Sequence, residues 1–400
     1  MQLLSTKLKF VGTSATAKVH NLVLKKQQLN EKVINLSVGE SDLNTPQNIQ
    51  KAGLTAITSG QTRYTSTAGL DLLKIAISNK LYRENSLTYD KDELIICSGG
   101  KQVIFNALIA TLNPKDEVVI PAPYWVSYPD IVALCGSVPV IVKTNANAQF
   151  KLTSEQLKQS LSDKTKWLIL NSPGNPSGAV YTEKELIQLC EVLELFPNVN
   201  VISDDIYEHI LYEEKSFCNI VQVNPLLKNR SLLVNGVSKS YAMTGWRLGY
   251  GAGNTKLIDA MTIVQSQSTS NASTISQYGA IEALNGPQEF IKRNKFIYQS
   301  RRDVMLQILS KSKYIQVMKP MGSFYALPSI QKLIGKSTPD GKLIKSDTDF
   351  VLELLNKSGV AVVPGSAFGT KHTFRISYAV PEALLQEGCN LILDFVNNLK

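Results

Sequence analysis

Short apolar runs recur through the middle of the chain and alternate with stretches of helical spacing. Runs at 94–96, 117–120, 138–142, 167–170, 199–202, 232–234 and 247–250, most of them rich in Val, Ile and Leu, predict strands. Between them, Val103, Ile104, Ala107, Leu108, Thr111 and Leu112 recur at helical spacing. Leu186, Leu189, Leu193 and Phe196 do the same after a Thr182/Glu185 capping box. Strands without polar alternation, separated by helices, predict a mostly parallel sheet covered on both faces. Ligands of such sheets gather at the carboxyl ends of the strands.

The flanks read differently. Thr45-Pro46 predicts a helix start, cap then proline in the first turn, and Gly60 its end. Beyond residue 290 a basic helical stretch precedes strand candidates at 316–318, 324–327, 360–363 and 374–377. The last helix carries Leu385, Cys389, Ile392, Val396 and Leu399 on one stripe. The expected fold class is α/β: a large lobe over 46–290, a smaller α+β lobe over 291–400, and an N-terminal arm, 1–45, joining the small lobe. Residues 337–345 are its most loop-like stretch, and no internal repeat is visible.

Composition narrows the function. Four hundred residues with 44% hydrophobic content can build a core large enough for two lobes. The net charge is +9, but the basic clusters are only pairs such as Lys25-Lys26 and Arg301-Arg302. No basic arm or aromatic-interleaved stripe marks a nucleic-acid partner. Cys97, Cys135, Cys190, Cys218 and Cys389 lie singly, which predicts free thiols in a reducing compartment. His20, His209 and His372 have no metal-ligand spacing, so no metal is expected. The start lacks a long apolar segment and no stretch reaches membrane-spanning length, so a soluble, cytoplasmic protein with no membrane partner is expected.

Candidate chemistry falls after the strands. Lys239 follows the run 232–234 in a turn, with Arg247 eight residues on. A lysine near 10.4 is neutral only about once in 2,500 molecules at pH 7. A Schiff base with a phosphorylated aldehyde makes that amine useful, and the arginine can hold the phosphate. Taken alone, the spacing favours the ordinary reading, a surface lysine beside a structural arginine. Ser98-Gly99-Gly100-Lys101 ends a strand and opens a helix, either as an anion cradle or as a tight turn. Its Ser-x-x-Lys match to serine β-lactamases fails for want of the companion motifs. Trp125 can stack on a planar heterocycle or pack in the core. Asn175 sits in a turn-rich loop where it can donate to a phenolic oxygen, and Asn175-Pro176 is a cis candidate. Asp204, at a buried strand end, needs a partner, and a protonated pyridine nitrogen suits it. Tyr207 can reach that ring's phenolate, although an acidic solvated turn remains open. Arg375 offers a planar fork for a carboxylate, or lies on a surface edge strand.

Together these residues resemble the class I (fold type I) pyridoxal-phosphate aminotransferases, and within them the prokaryotic-type aspartate aminotransferases. The likeness runs from Ser14-Ala15-Thr16 to Arg375. It includes Tyr64-Thr65-Ser66-Thr67-Ala68-Gly69, Tyr124-Trp125-Val126-Ser127-Tyr128-Pro129, Asn175-Pro176-Ser177-Gly178 and Ala242-Met243-Thr244-Gly245-Trp246-Arg247. The resemblance implies pyridoxal 5'-phosphate, borne on Lys239, which also shuttles the substrate proton. Asp204 would pair with the pyridinium, Tyr207 and Asn175 would bind the phenolate, and Trp125 would stack on the ring. Arg247 and the backbone of Gly99, Gly100 and Lys101 would hold the phosphate. Tyr64 is implied to reach the phosphate of a neighbouring subunit, so a homodimer with shared active sites is expected. Residues 265–271 resemble the family's inter-subunit segment. Arg375 would take the substrate α-carboxylate, Lys101 the distal carboxylate, and Gly39, Trp125 and Asn175 would line the substrate site.

Two departures stand out. Gly236 occupies a position where many members carry a phosphate-binding serine, a role that Ser238 could supply. Gly12 replaces a lysine found in members that also transaminate prephenate. The expected reaction is ping-pong transamination between L-aspartate and 2-oxoglutarate; aromatic or other amino acids, or prephenate, are the alternatives. A nicotinamide enzyme is disfavoured because Gly249-x-Gly251-x-Gly253 lacks its third glycine in place. A transcription regulator of the same fold would need a DNA-binding module ahead of the first strand.

Overall fold

A computed structural model of the chain describes residues 5–12 and 15–400; Thr13, Ser14 and the first four residues lie outside the described residues. Twelve strands are present among the described residues: β1 (Ile34–Asn35), β2 (Leu94–Cys97), β3 (Glu117–Ala122), β4 (Val138–Lys143), β5 (Thr165–Asn171), β6 (Asn200–Asp204), β7 (Ser231–Gly236), β8 (Gly249–Ala252), β9 (Tyr325–Ala326), β10 (Val360–Ala361), β11 (Val363–Pro364) and β12 (Phe374–Ser377). Four helices matter below: α1 (Ala15–Gln28), α2 (Gln47–Thr58), α3 (Asp71–Asn85) and α4 (Gly100–Thr111).

The large sheet has the order β2-β8-β7-β6-β5-β3-β4. Both ladders of β8 are antiparallel and the others parallel. Its central strands are buried on both faces, as β7 shows at every position, so their apolar runs carry no alternation. Two apolar clusters flank this sheet, one including Ile96, Leu168, Val201 and Leu233, the other Ile95, Ile120, Ile169 and Val234. A third cluster joins Val19, Val23, Ile34 and Leu36 to residues between Tyr298 and Leu399. Tyr207, Ile210 and Tyr212 project into it from the large-sheet side. The order β11-β12-β9 forms a small antiparallel sheet there, and β1 pairs with β10.

Several sequence expectations are corrected. The run 316–318 makes only the bridge Gln316↔Ser329. The run 360–363 splits at Val362 into β10, paired with β1, and β11, paired with β12. Thr45 does not cap α2: Pro46 holds the cap position, and Thr45 Oγ1 donates to the Ala242 carbonyl at 2.7 Å. Helix Glu183–Glu194 keeps the expected capping box but stops two residues short of Phe196.

Candidate active site

The parallel strands end on one edge of the sheet, and β8, running the other way, begins there. Loops after β2, β3, β5, β6 and β7 therefore converge with the turn before β8. They enclose a cavity of about 580 Å³ lined by Gly100, Lys101, Trp125, Asn175, Asp204, Tyr207, Ser238, Lys239, Arg247, Gly39 and Arg375. The Asn175-Pro176 bond in the loop after β5 is cis.

Lys239 is half-buried, and its Nζ donates to the Gly39 carbonyl at 2.5 Å. Its pKa is pulled down to about 8, chiefly by burial and then by Arg375 and Arg247, with Glu40 and Asp204 opposing them. Asp204 is 6% exposed at the end of β6. Its Oδ2 accepts from the Tyr128 hydroxyl at 2.5 Å. Burial still lifts this carboxyl to about 6 despite that bond. Such a group gains from a cationic partner inside the cavity.

Backbone and guanidinium come close together where α4 begins. Gly99 stands at its N-cap with φ +95°, and a Cβ there would lie 2.5 Å from Arg247 Nη2. Arg247 was expected inside a strand, but it sits before β8 in a left-handed conformation, φ +52°. That turn is stabilised by Nη1 donating to the Thr244 carbonyl at 2.9 Å, and it aims the guanidinium at the start of α4. Gly236 has a packing reason. A Cβ there would meet the Leu248 carbonyl at 2.9 Å across the antiparallel β7–β8 pairing, so a serine would force the backbone apart, whereas Ser238 lines the cavity.

Arg375 is buried on β12 rather than on a surface edge. Its Nη2 donates to the Ser37 carbonyl at 2.6 Å and its Nη1 to Asn175 Oδ1 at 3.1 Å, while Nε has no partner. The ring of Tyr325 lies 4.5 Å below the guanidinium. Lys101 Nζ stands 4.9 Å from the Trp125 ring. Burial lowers its pKa, Arg247 adds to that, and Asp130 opposes it.

Sequence reasoning missed three contributors. Tyr128 pairs Asp204. Tyr325 holds the Tyr207 hydroxyl at 3.1 Å and sits under Arg375, and Glu40 lines the wall. Tyr128 was visible only as part of a motif and Tyr325 only as a member of the run 324–327, neither with a role. Tyr64 does not join the cavity: it is 90% exposed beside a separate hollow with Arg63, Asn271 and Thr274. From the 265–271 segment, Gln265 donates to the Thr67 and Ile96 carbonyls.

A mostly parallel sheet gathers a lysine, a buried aspartate and two arginines at its strand ends, a set suited to a group-transfer enzyme. The family described as Aminotransferase class I and II matches residues 31–392, and the chain belongs to it: this protein is an aminotransferase. It is 50% identical over 389 residues to the probable aspartate/prephenate aminotransferase of Rickettsia felis, covering 97% of this chain and 95% of that one. The crystal structure of the aspartate aminotransferase from Rhizobium meliloti superposes with TM-score 0.97 at 44% identity, over all of both chains. The aspartate aminotransferase from Thermus thermophilus with maleate gives TM-score 0.91 at 35% identity, over 99% and 100%. Among the described residues no helix is long and apolar enough to cross a membrane.

Proposed function

We propose that this enzyme moves the amino group of L-aspartate to 2-oxoglutarate, giving oxaloacetate and L-glutamate, with pyridoxal 5'-phosphate as cofactor. One observation carries the reading: Lys239, Asp204, Arg247, Arg375 and Lys101 line one cavity. The residues fit the cofactor. Gly99 and Arg247 form a cradle that a Cβ would fill, and Asp204 is a buried acid held at about 6 without a cation on it. Arg247, Ser238 and the backbone of Gly99, Gly100 and Lys101 would hold the phosphate. Asp204 would pair with the ring nitrogen, Tyr207 and Asn175 with the phenolate, and Trp125 with the ring face. When bound, the cofactor supplies an aldehyde and an electron-accepting ring.

The chain's own residues do the rest. Arg375 clamps the substrate α-carboxylate with its planar fork. Lys101 takes the distal carboxylate, which selects four- and five-carbon dicarboxylates in the two half-reactions. Lys239 Nζ holds and moves the proton of the substrate α-carbon. The relatives' names support aspartate, and maleate in the Thermus structure is likewise a dicarboxylate. Prephenate remains the second reading, because the Rickettsia relative carries it in its name.

We read residues 1–45 as an arm on the small lobe, 46–290 as the large lobe and 291–400 as the small lobe. The working form is a homodimer in which Tyr64 reaches the neighbouring site. The five free cysteines fit a reducing cytoplasm.

The test is a panel of amino donors against 2-oxoglutarate. Aspartate should give the highest kcat/KM. Lys101→Ala should lower that value by roughly 30- to 1000-fold (about 2–4 kcal/mol) while sparing phenylalanine. A higher value for phenylalanine, or full aspartate turnover in the variant, refutes the substrate assignment.

A further inference from the structure

Behind the cavity, α3 carries a fully buried lysine, Lys80, that the chemistry above does not use. Its Nζ donates to Glu208 and, at 2.8 Å, to Asn85 Oδ1. Glu208 Oε1 also accepts from Asn235 Nδ2 at 2.6 Å, four residues before Lys239. Further along α3, Glu84 Oε2 lies 2.8 Å from His209 Nε2, and His209 Nδ1 lies 3.0 Å from Ser240 Oγ. Two tethers thus run from one helix to residues that bracket Lys239, at 235 and at 240. Both pass through the two residues that follow Tyr207.

The order carboxylate, imidazole, hydroxyl resembles a nucleophilic triad. Here it cannot act as one. Ser240 is 4% exposed, and the cavity wall includes Ser238 and Lys239 but not Ser240. Nor is the cluster poised for a metal. Glu84, Glu208 and His209 bring ligand atoms within 4.8 Å of one another, but the Lys80 ammonium pairs with Glu208 and stands 3.5 Å from Glu84. What remains is orientation. A carboxylate that accepts from Nε2–H leaves Nδ1 to accept from the Ser240 hydroxyl, so one acid fixes both tautomer and ring plane. Burial alone would raise the Glu84 carboxyl, yet His209, Lys80 and Arg83 hold it down at about 2. The tether therefore keeps its charge throughout the neutral range.

We propose that Glu84–His209–Ser240, braced by Lys80–Glu208–Asn235, is a positioning network that sets how the Lys239 amine is presented to the cavity. The inference rests on reading Lys239 as the cofactor-bearing lysine. Ser240→Ala deletes one buried hydroxyl with little change of volume, and His209→Asn cuts the same tether one link earlier. In the holoenzyme, three quantities are read: the pH midpoint of the visible absorption band, kcat and KM for aspartate, and Tm. Both variants should move the midpoint by about half a pH unit or more. They should lower kcat about tenfold with KM changed less than about twofold, because the carboxylate contacts are elsewhere. An unmoved midpoint with unchanged kcat in Ser240→Ala overturns the proposal, even if Tm falls. A wild-type enzyme without a visible band refutes instead the assignment of Lys239.

Discussion

Burial raises the Asp204 carboxyl from its ordinary 3.8 to about 6, although the Tyr128 hydroxyl donates to it. The folded chain therefore binds that proton more tightly than the unfolded chain does. The destabilisation is absent below about pH 4, grows between about 4 and 6, and is complete above, at roughly 3 kcal/mol. Asp204→Asn should accordingly raise the Tm of the cofactor-free protein at pH 8, with a gap that narrows as the pH falls from about 6 to 4. The same change should lower transamination by about a thousandfold or more, since an amide cannot keep a ring nitrogen charged. Calorimetry and steady-state rates check the pair; a lower Tm at pH 8 contradicts the account. Asp204 was legible in the sequence because a charge at the end of an apolar strand demands a partner. The roles of Tyr128 and Tyr325 were not, since nothing local marks a tyrosine's hydroxyl until the fold brings it to a distant residue.

The junction of α4 with β8 depends on close backbone approach. A Cβ at Gly249 would stand 2.3 Å from the Gly100 nitrogen, and one at Gly99 would strike Arg247 in a left-handed region of backbone space. Gly99→Ala should weaken cofactor affinity about tenfold or more and cost about 1–3 kcal/mol of stability. Titration of the cofactor-free protein checks this; unchanged affinity would show that the cradle plays no part in anion binding. The strand ends were readable because doubly buried strands leave unbroken apolar runs. Arg247 was misplaced because Arg-Leu-Gly fits an alternating strand as well as a left-handed turn. The hydrogen bond to Thr244 that decides between them spans only three residues but leaves no mark on hydropathy. The segment 316–318 failed for the opposite reason: its apolar pattern found a single bridging partner.

Arg375 reaches Asn175 from a separate hydrophobic core, so the cavity closes only when both cores are in register. That pairing spans 200 residues and no local pattern announces it, whereas the overall α/β layering follows from strand and helix alternation alone. Tyr64, Leu54, Ile57, Leu72, Ile75 and Ile263 are exposed on the large-sheet side, which fits a second copy covering them. Sedimentation equilibrium should give twice 44.0 kDa at micromolar concentration; a monomer would leave Tyr64 without its assigned role. All of this rests on one amine. Borohydride reduction of the purified holoenzyme, followed by digestion and mass spectrometry, should place a phosphopyridoxyl group on the peptide containing Lys239. A label on any other lysine, or none, contradicts the account.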